Sequence, residues 1–165
     1  MNFTIRPYVD ADYDWVLAAE VALQAHEVAL HDTRLPAEPQ SSGCHLALLW
    51  ERLAKGDGVM LIAEEASGQR VGLVAARIKD EPWPVETPDS TRYGYVDDIY
   101  IEPVARGTGL AQLLLDAIAD HLRRADPNLR RLRINVLAVN RIARRSYEKA
   151  GFVPYEIMYE RLLQP

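Results

Sequence analysis

The stretch Val96-Asp97-Asp98-Ile99-Tyr100-Ile101-Glu102-Pro103-Val104-Ala105-Arg106-Gly107-Thr108-Gly109-Leu110-Ala111 decides how the rest of the chain is read. Tyr95 to Ile101 is rich in aromatic and β-branched residues, which suit a pleated strand. Pro103 has no amide to give to a ladder, so the strand stops near it. After Arg106-Gly107-Thr108-Gly109, the residues Leu110, Leu114, Ile118 and Leu122 recur at the i, i+4 spacing of an amphipathic helix. A glycine-rich turn feeding a helix leaves amides without acceptors at the positive end of the helix dipole, an arrangement that holds phosphate. The third glycine of a dinucleotide fingerprint is missing, and no Lys-Ser/Thr follows as a P-loop requires. A tight strand-to-helix turn with no ligand is the plainer reading of the local pattern.

Elements on either side are consistent with one α/β domain over residues 1–165. Phe3 to Val9 reads as a first strand. A helix capped by Asp10 or Asp12 follows and runs to about Leu30. Ser41 or Ser42 can cap a second helix with Leu46, Leu49, Trp50 and Leu53 on one face. Val59 to Glu65 and Val71 to Ile78 form a hairpin through Ala66-Ser67-Gly68-Gln69. The segment Lys79 to Ser90, with three prolines and four acids, reads as a loop beside the central strand. It is either a solvated excursion or an acidic wall for a binding site. Beyond the glycine turn, Arg130 to Leu137 is a strand. Asn140 starts a short helix that ends at Ala150, with Gly151 after it, and Phe152 to Leu163 supplies one or two closing strands.

Composition narrows the function classes. Hydrophobic residues make up 48% and charged residues 26% of the chain, typical of a globular protein in water. The net charge of −5 argues against non-specific nucleic-acid binding and suits a cationic substrate. Arg123, Arg124, Arg130, Arg131 and Arg133 form a basic cluster without interleaved aromatics, which reads as solvated surface. Cys44 is the sole cysteine, so there is neither an internal disulfide nor a thiolate zinc site. His26, His31, His45 and His121 have no metal-ligand spacing. No apolar run approaches the ~20 residues of a membrane span, and a cytoplasmic location is expected.

The pattern Arg106-x-x-Gly109-x-Ala111 after a strand resembles the acyl-CoA signature of the Gcn5-related N-acetyltransferase (GNAT) superfamily, Arg/Gln-x-x-Gly-x-Gly/Ala. Asn140, Ala143 and the run Tyr147-Glu148-Lys149-Ala150-Gly151-Phe152 resemble the other signature of that family. The resemblance covers nearly the whole chain. It implies a mixed central β-sheet of six to seven strands with about four helices on its two faces, and CoA at the splay between the central strand and the strand Arg130–Leu137. The implied activity is acetyl transfer from acetyl-CoA to a primary amine of a small molecule or peptide, with no metal, no nucleic acid and no membrane, and a homodimer is compatible with it. Cofactor-binding positions carried over are Ile99, Tyr100, Ile101, Arg106, Gly107, Thr108, Gly109, Leu110, Ala111, Asn140, Ala143 and Tyr147. A catalytically silent acyl-CoA-binding regulatory module, or an N-terminal or lysine protein acetyltransferase, are the alternatives.

Amide formation from a thioester sets definite demands. An alkyl ammonium has a pKa near 10, so supplying free amine at pH 7 costs roughly 4–5 kcal/mol. The site needs a proton acceptor, an oxyanion donor and a group to stabilise the thiolate. Asp97 and Asp98 are the acceptor candidates; consecutive strand residues point to opposite faces, so one of them is expected to meet the substrate. The resemblance favours Asp97, the position where many relatives carry a glutamate. It also implies that the Tyr147 phenol donates to the departing sulfur and that main-chain groups at Ile99 and Ile101 pair with the pantetheine arm, in the manner of an added strand. Asn140 has a further role as an N-cap.

Overall fold

The computed structural model describes residues 2–163. Its elements in chain order are β1 (Phe3–Pro7), α1 (Tyr13–Val28), α2 (Pro39–Lys55), β2 (Val59–Glu65), β3 (Arg70–Asp80), α3 (Pro88–Thr91), β4 (Arg92–Ile101), α4 (Leu110–Ala125), β5 (Leu132–Ile134) and α5 (Arg141–Lys149). The sheet runs β1-β2-β3-β4-β5. It is antiparallel throughout except for the parallel β4–β5 pair. No described helix is long and apolar enough to cross a membrane.

The mixed sheet with helices on both faces is the expected architecture. The described residues, however, carry five strands rather than six or seven, and five helices rather than about four. β5 is three residues long because its pairing with β4 ends at Val96–Ile134. With so short an edge strand beside it, Phe152 to Leu163 joins no ladder and forms no strand. The proline-rich loop contains the short α3, and α2 begins at Pro39, ahead of the serines expected to cap it. Proline at the first turn of both helices gives up an amide that would have had no helical acceptor.

Two apolar layers enclose the sheet. On one face Val16, Ala19, Leu46, Leu49 and Leu53 of α1 and α2 pack on Met60, Ile62, Leu73, Ala75 and Tyr100. On the other, Leu110, Leu114, Leu115, Ile118 and Leu122 of α4 pack on Val74, Ala76 and Val96. Each such side chain contributes roughly 1.5–3 kcal/mol on burial. Gly94 lets α4 lie close: a Cβ there would meet Leu122 Cδ1 and Leu132 Cδ1 at 2.9 Å. The buried Asp12 ties the start of α1 to the sheet. Its carboxylate accepts from Arg6, from Arg70 and from the Val9 amide instead of capping the helix. Arg6 is the main reason that Asp12 stays well below the usual carboxylate range.

A bulge in β4 positions the site. Ala75 pairs with Asp98 and Ala76 with Val96, so Asp97 has no partner on β3. Alternation along β4 is broken there. Val96 packs under α4, whereas Asp98 and Tyr100 face α1 and α2. Asp97 contacts Arg77, which shares the Ala75 face of β3. Both aspartates therefore lie on the α1/α2 side, and the expectation that they face opposite ways is corrected by the extra residue.

Candidate active site

Beyond Val96 β4 and the edge strand β5 part. β4 keeps its β3 neighbour as far as Ile101, while its other edge is unpaired from Asp97 onward. The Glu102 amide donates to the Val71 carbonyl at 2.9 Å on the β3 side. Main-chain groups alternate along a strand, so those of Ile99 and Ile101 turn to the open edge and those of Tyr100 to β3. The side chains of Ile99 and Ile101 rest against the α4-side core. Tyr100 is buried on the opposite face, edge-on to Trp15. Arg106 folds back so that its Nε donates to the Ile101 carbonyl at 3.0 Å, which leaves the Ile101 amide as the open group.

The glycine turn closes the upper end of this gap. Gly107 has φ 77° and Gly109 φ 90°, both in the left-handed region that favours glycine. Gly109 is the N-cap of α4, and Leu110 anchors the first turn in the core. Thr108 Oγ1 donates to the Ala105 carbonyl at 2.6 Å and pins the turn. No atom comes within 4 Å of a Cβ built at Gly107 or Gly109, so φ rather than crowding requires glycine there, and the surface over the turn is open. The first-turn amides, including that of Ala111, have no helical acceptor. An open edge of strand leading to an exposed ring of amides fits an extended amide-bearing chain that ends in a diphosphate, which is the form of CoA.

α5 forms the other wall. Asn140 Oδ1 accepts from the Ala143 amide at 3.1 Å, as an N-cap does. Tyr147 follows two turns on, half-buried against the α4-side core, its ring 6.1 Å from Phe152. Burial, with a contribution from the charge of Glu27 on α1, pushes its hydroxyl up to about 12.

On the α1/α2 side the site is acidic and contains groups that sequence reasoning did not single out. Asp97 accepts from Arg77 Nε at 3.1 Å, and burial still pushes its pKa above the ordinary aspartate value. Asp98 Oδ2 lies 2.8 Å from Nε2 of His45 on α2. That hydrogen bond is the main reason the His45 pKa is raised. Glu20 of α1, 4% exposed, approaches the same Nε2 at 3.9 Å, and its Oε1 has no hydrogen-bond partner among the described residues. Burial first, and the charge of Asp98 next, push it up to about 8. The available signal was position: Glu20 and His45 fall on or beside the apolar stripes Val16-Ala19 and Ser42-Leu46-Leu49. Three of the four acids of the Lys79–Ser90 loop are instead paired nearby, Asp80 with Arg92, Glu81 with Lys79 and Asp89 with Arg131, while Glu86 accepts from Ser90 Oγ.

A family profile described as the acetyltransferase (GNAT) family matches residues 24–152. The chain belongs to the GNAT family. No curated protein matches it by sequence. Among solved structures it is similar to a mutant of the BH1408 protein from Bacillus halodurans, with 17% identity, TM-score 0.79, and 98% of this chain and 99% of that one covered. It is also similar to the aminoglycoside antibiotic 6′-N-acetyltransferase AAC(6′)-Ih from Acinetobacter baumannii, with 14% identity, TM-score 0.69 and coverage of 99% and 100%. A third is AAC(6′)-Iy in complex with the bisubstrate analogue CoA-S-monomethyl-acetylneamine, with 20% identity, TM-score 0.67 and coverage of 99% and 100%. At such identities these similarities establish the GNAT fold.

Proposed function

We propose that this protein is a single-domain, acetyl-CoA-dependent N-acetyltransferase that acts on a primary amine of a small molecule or peptide by direct attack on the thioester. The observation that carries this reading is the parting of β4 from β5 beyond Val96, directly below the glycine turn. Main-chain groups of Ile99 and Ile101, with Tyr100 between them, align the pantetheine arm. Arg106 and the amides from Gly107 through Ala111 hold the diphosphate. Asn140 and Ala143 border the arm at the start of α5, and Tyr147 donates to the departing sulfur. Bound acetyl-CoA supplies an activated acyl carbon and a thiolate leaving group. The acidic groups on the α1/α2 side, Asp97 and Asp98 among them, attract and orient the ammonium form of the acceptor. Neamine-type amines are included in the test because one structural neighbour is an aminoglycoside antibiotic 6′-N-acetyltransferase and another is in complex with an acetylneamine bisubstrate analogue.

The test is release of CoA from acetyl-CoA in the presence of polyamines, aminoglycosides and peptides. Amine-dependent release is expected for at least one class. Tight binding of acetyl-CoA with no release above hydrolysis would make the protein a silent acyl-CoA-binding module. The same reading includes a homodimer, supported by the exposed apolar side chains Val153, Ile157, Met158, Tyr159, Leu162 and Leu163 of a C-terminal segment that meets β5 at Tyr155 and Arg133.

A further inference from the structure

The histidine that sequence spacing set aside has the geometry of a base. A carboxylate only accepts hydrogen bonds, so the 2.8 Å contact between Asp98 Oδ2 and His45 Nε2 places the ring proton on Nε2 and leaves a lone pair on Nδ1. The His45 side chain is 41% exposed, against 6% for Asp97 and 12% for Asp98. Asp97 is committed to Arg77 and Asp98 to His45. Of the polar groups gathered here, His45 is the one with both an uncommitted lone pair and access to an incoming molecule.

We propose that His45 is the catalytic base of this site: Nδ1 takes the proton shed by the acceptor amine, Asp98 orients the ring, and Glu20 supports it from α1. The proposal rests on the N-acetyltransferase reading. Nδ1 first takes one proton from the bound ammonium and passes it to water, which frees the nitrogen lone pair; that nitrogen then bonds to the acyl carbon, the C–S bond breaks with its electron pair going to sulfur, and the second nitrogen proton leaves by the same route through Nδ1 to water. The charged groups acting on the ring are Asp98 of β4, Glu20 of α1 and Arg52 of α2; Asp97 with Arg77 beside Asp98, and Glu27 beside Glu20, form the next layer. Asp98, and Glu20 once it ionises, favour the imidazolium, and Arg52 opposes it. An imidazole, whose ordinary pKa of about 6.5 is raised here by the Asp98 hydrogen bond, accepts an amine's proton far better than a carboxylate with its usual pKa near 4.

Glu20, His45 and Asp98 also bring three potential metal-ligand atoms within 4.8 Å of one another. The direct hydrogen bond favours the dyad over a metal site. Ligands about 2.0–2.1 Å from a tetrahedral zinc stand more than ~3 Å apart, so the 2.8 Å pair is closed on itself.

Two measurements test the proposal. In the ligand-free protein, NMR titration of the His45 imidazole is expected to give a pKa above the free value, which falls in Asp98→Asn. With acetyl-CoA and, in turn, spermidine, neamine and a lysine-containing peptide, His45→Gln is expected to lower kcat at pH 7 by about 10²-fold. The loss should shrink at high pH, where solvent supplies free amine, and the affinity for acetyl-CoA should not change. Added imidazole is expected to restore part of the activity of His45→Ala. Wild-type turnover that His45→Gln reduces less than threefold overturns the role of His45 alone. An imidazole pKa unmoved by Asp98→Asn removes Asp98 as its positioning residue and overturns the dyad. A zinc-dependent rise in Tm that His45→Gln abolishes would make the cluster a metal site instead. Absence of wild-type turnover with all three amines would remove the acetyltransferase reading, and the base with it.

Discussion

A tyrosine hydroxyl pushed up to about 12 holds its proton too firmly to hand it to a thiolate whose conjugate acid lies near 8.5. In the proposed reaction Tyr147 therefore works as a hydrogen-bond donor, strongest as charge develops on sulfur. Tyr147→Phe is expected to reduce kcat by about 10²-fold while leaving the dissociation constant for acetyl-CoA unchanged. Steady-state kinetics and calorimetry check this, and a loss below threefold would leave the ring as packing against Phe152. Glu20 carries a different consequence. Its folded pKa of about 8 lies above the usual value near 4.3 of an exposed glutamate. Between those values the folded chain keeps a proton that the unfolded chain has released, so stability falls as pH rises through that window. Glu20→Gln removes the ionisation. Its Tm relative to wild type is expected to increase from pH 4 to pH 8, and calorimetry showing a constant difference would mean that Glu20 ionises normally.

At the scale of elements, the glycine turn makes the firmest claim. Gly109 holds φ 90° at the head of α4 with open space around it. Gly109→Ala is expected to cost about 1 kcal/mol of stability, the strain of a left-handed residue with a Cβ. Gly109→Asp should in addition weaken acetyl-CoA at least tenfold, because its carboxylate would face the diphosphate. Titration calorimetry separates the two effects; an unchanged affinity for Gly109→Asp would remove the diphosphate from this turn. These features were legible in the sequence because they are local. The Leu110-Leu114-Ile118-Leu122 stripe became the buried face of α4, and Asn140 caps α5 through the Ala143 amide. What escaped was set by pairing across the fold. The bulge at Asp97 exists only against Ala75 and Ala76 of β3, and it alone brings both aspartates to one face. His45 meets Asp98 across 53 positions of sequence, which no periodicity reveals. The sequence of the acidic loop fits a wall and a solvated excursion equally, because Arg92 and Arg131, which pair with two of its acids, lie outside it.

For the whole molecule, the C-terminal run is the least self-sufficient part. From Val153 onward, Ile157, Met158, Tyr159, Leu162 and Leu163 are exposed, Met158 at 96%. Only Tyr155 is held to the sheet, stacked under Arg133 at 4.2 Å and 3.5 Å from Ser90 Oγ. Beside the run, the outer edge of β5 has no neighbouring strand among the described residues. Contiguous exposed apolar surface marks an interaction site, and a free edge strand is a template for pairing. In a second copy of the chain both features recur, so a two-fold arrangement satisfies the run and the edge of each copy at once. The expected species is a dimer of two 18.6 kDa chains. The double substitution Ile157→Asp and Met158→Asp would put two carboxylates into the shared surface. Desolvating them unpaired costs several kcal/mol, so the variant should be monomeric and still folded, since neither side chain belongs to the core. Sedimentation equilibrium at micromolar concentrations decides it. A wild-type mass of one chain across that range, or an aspartate variant that sediments as the wild type does, would remove the C-terminal run as a dimer interface.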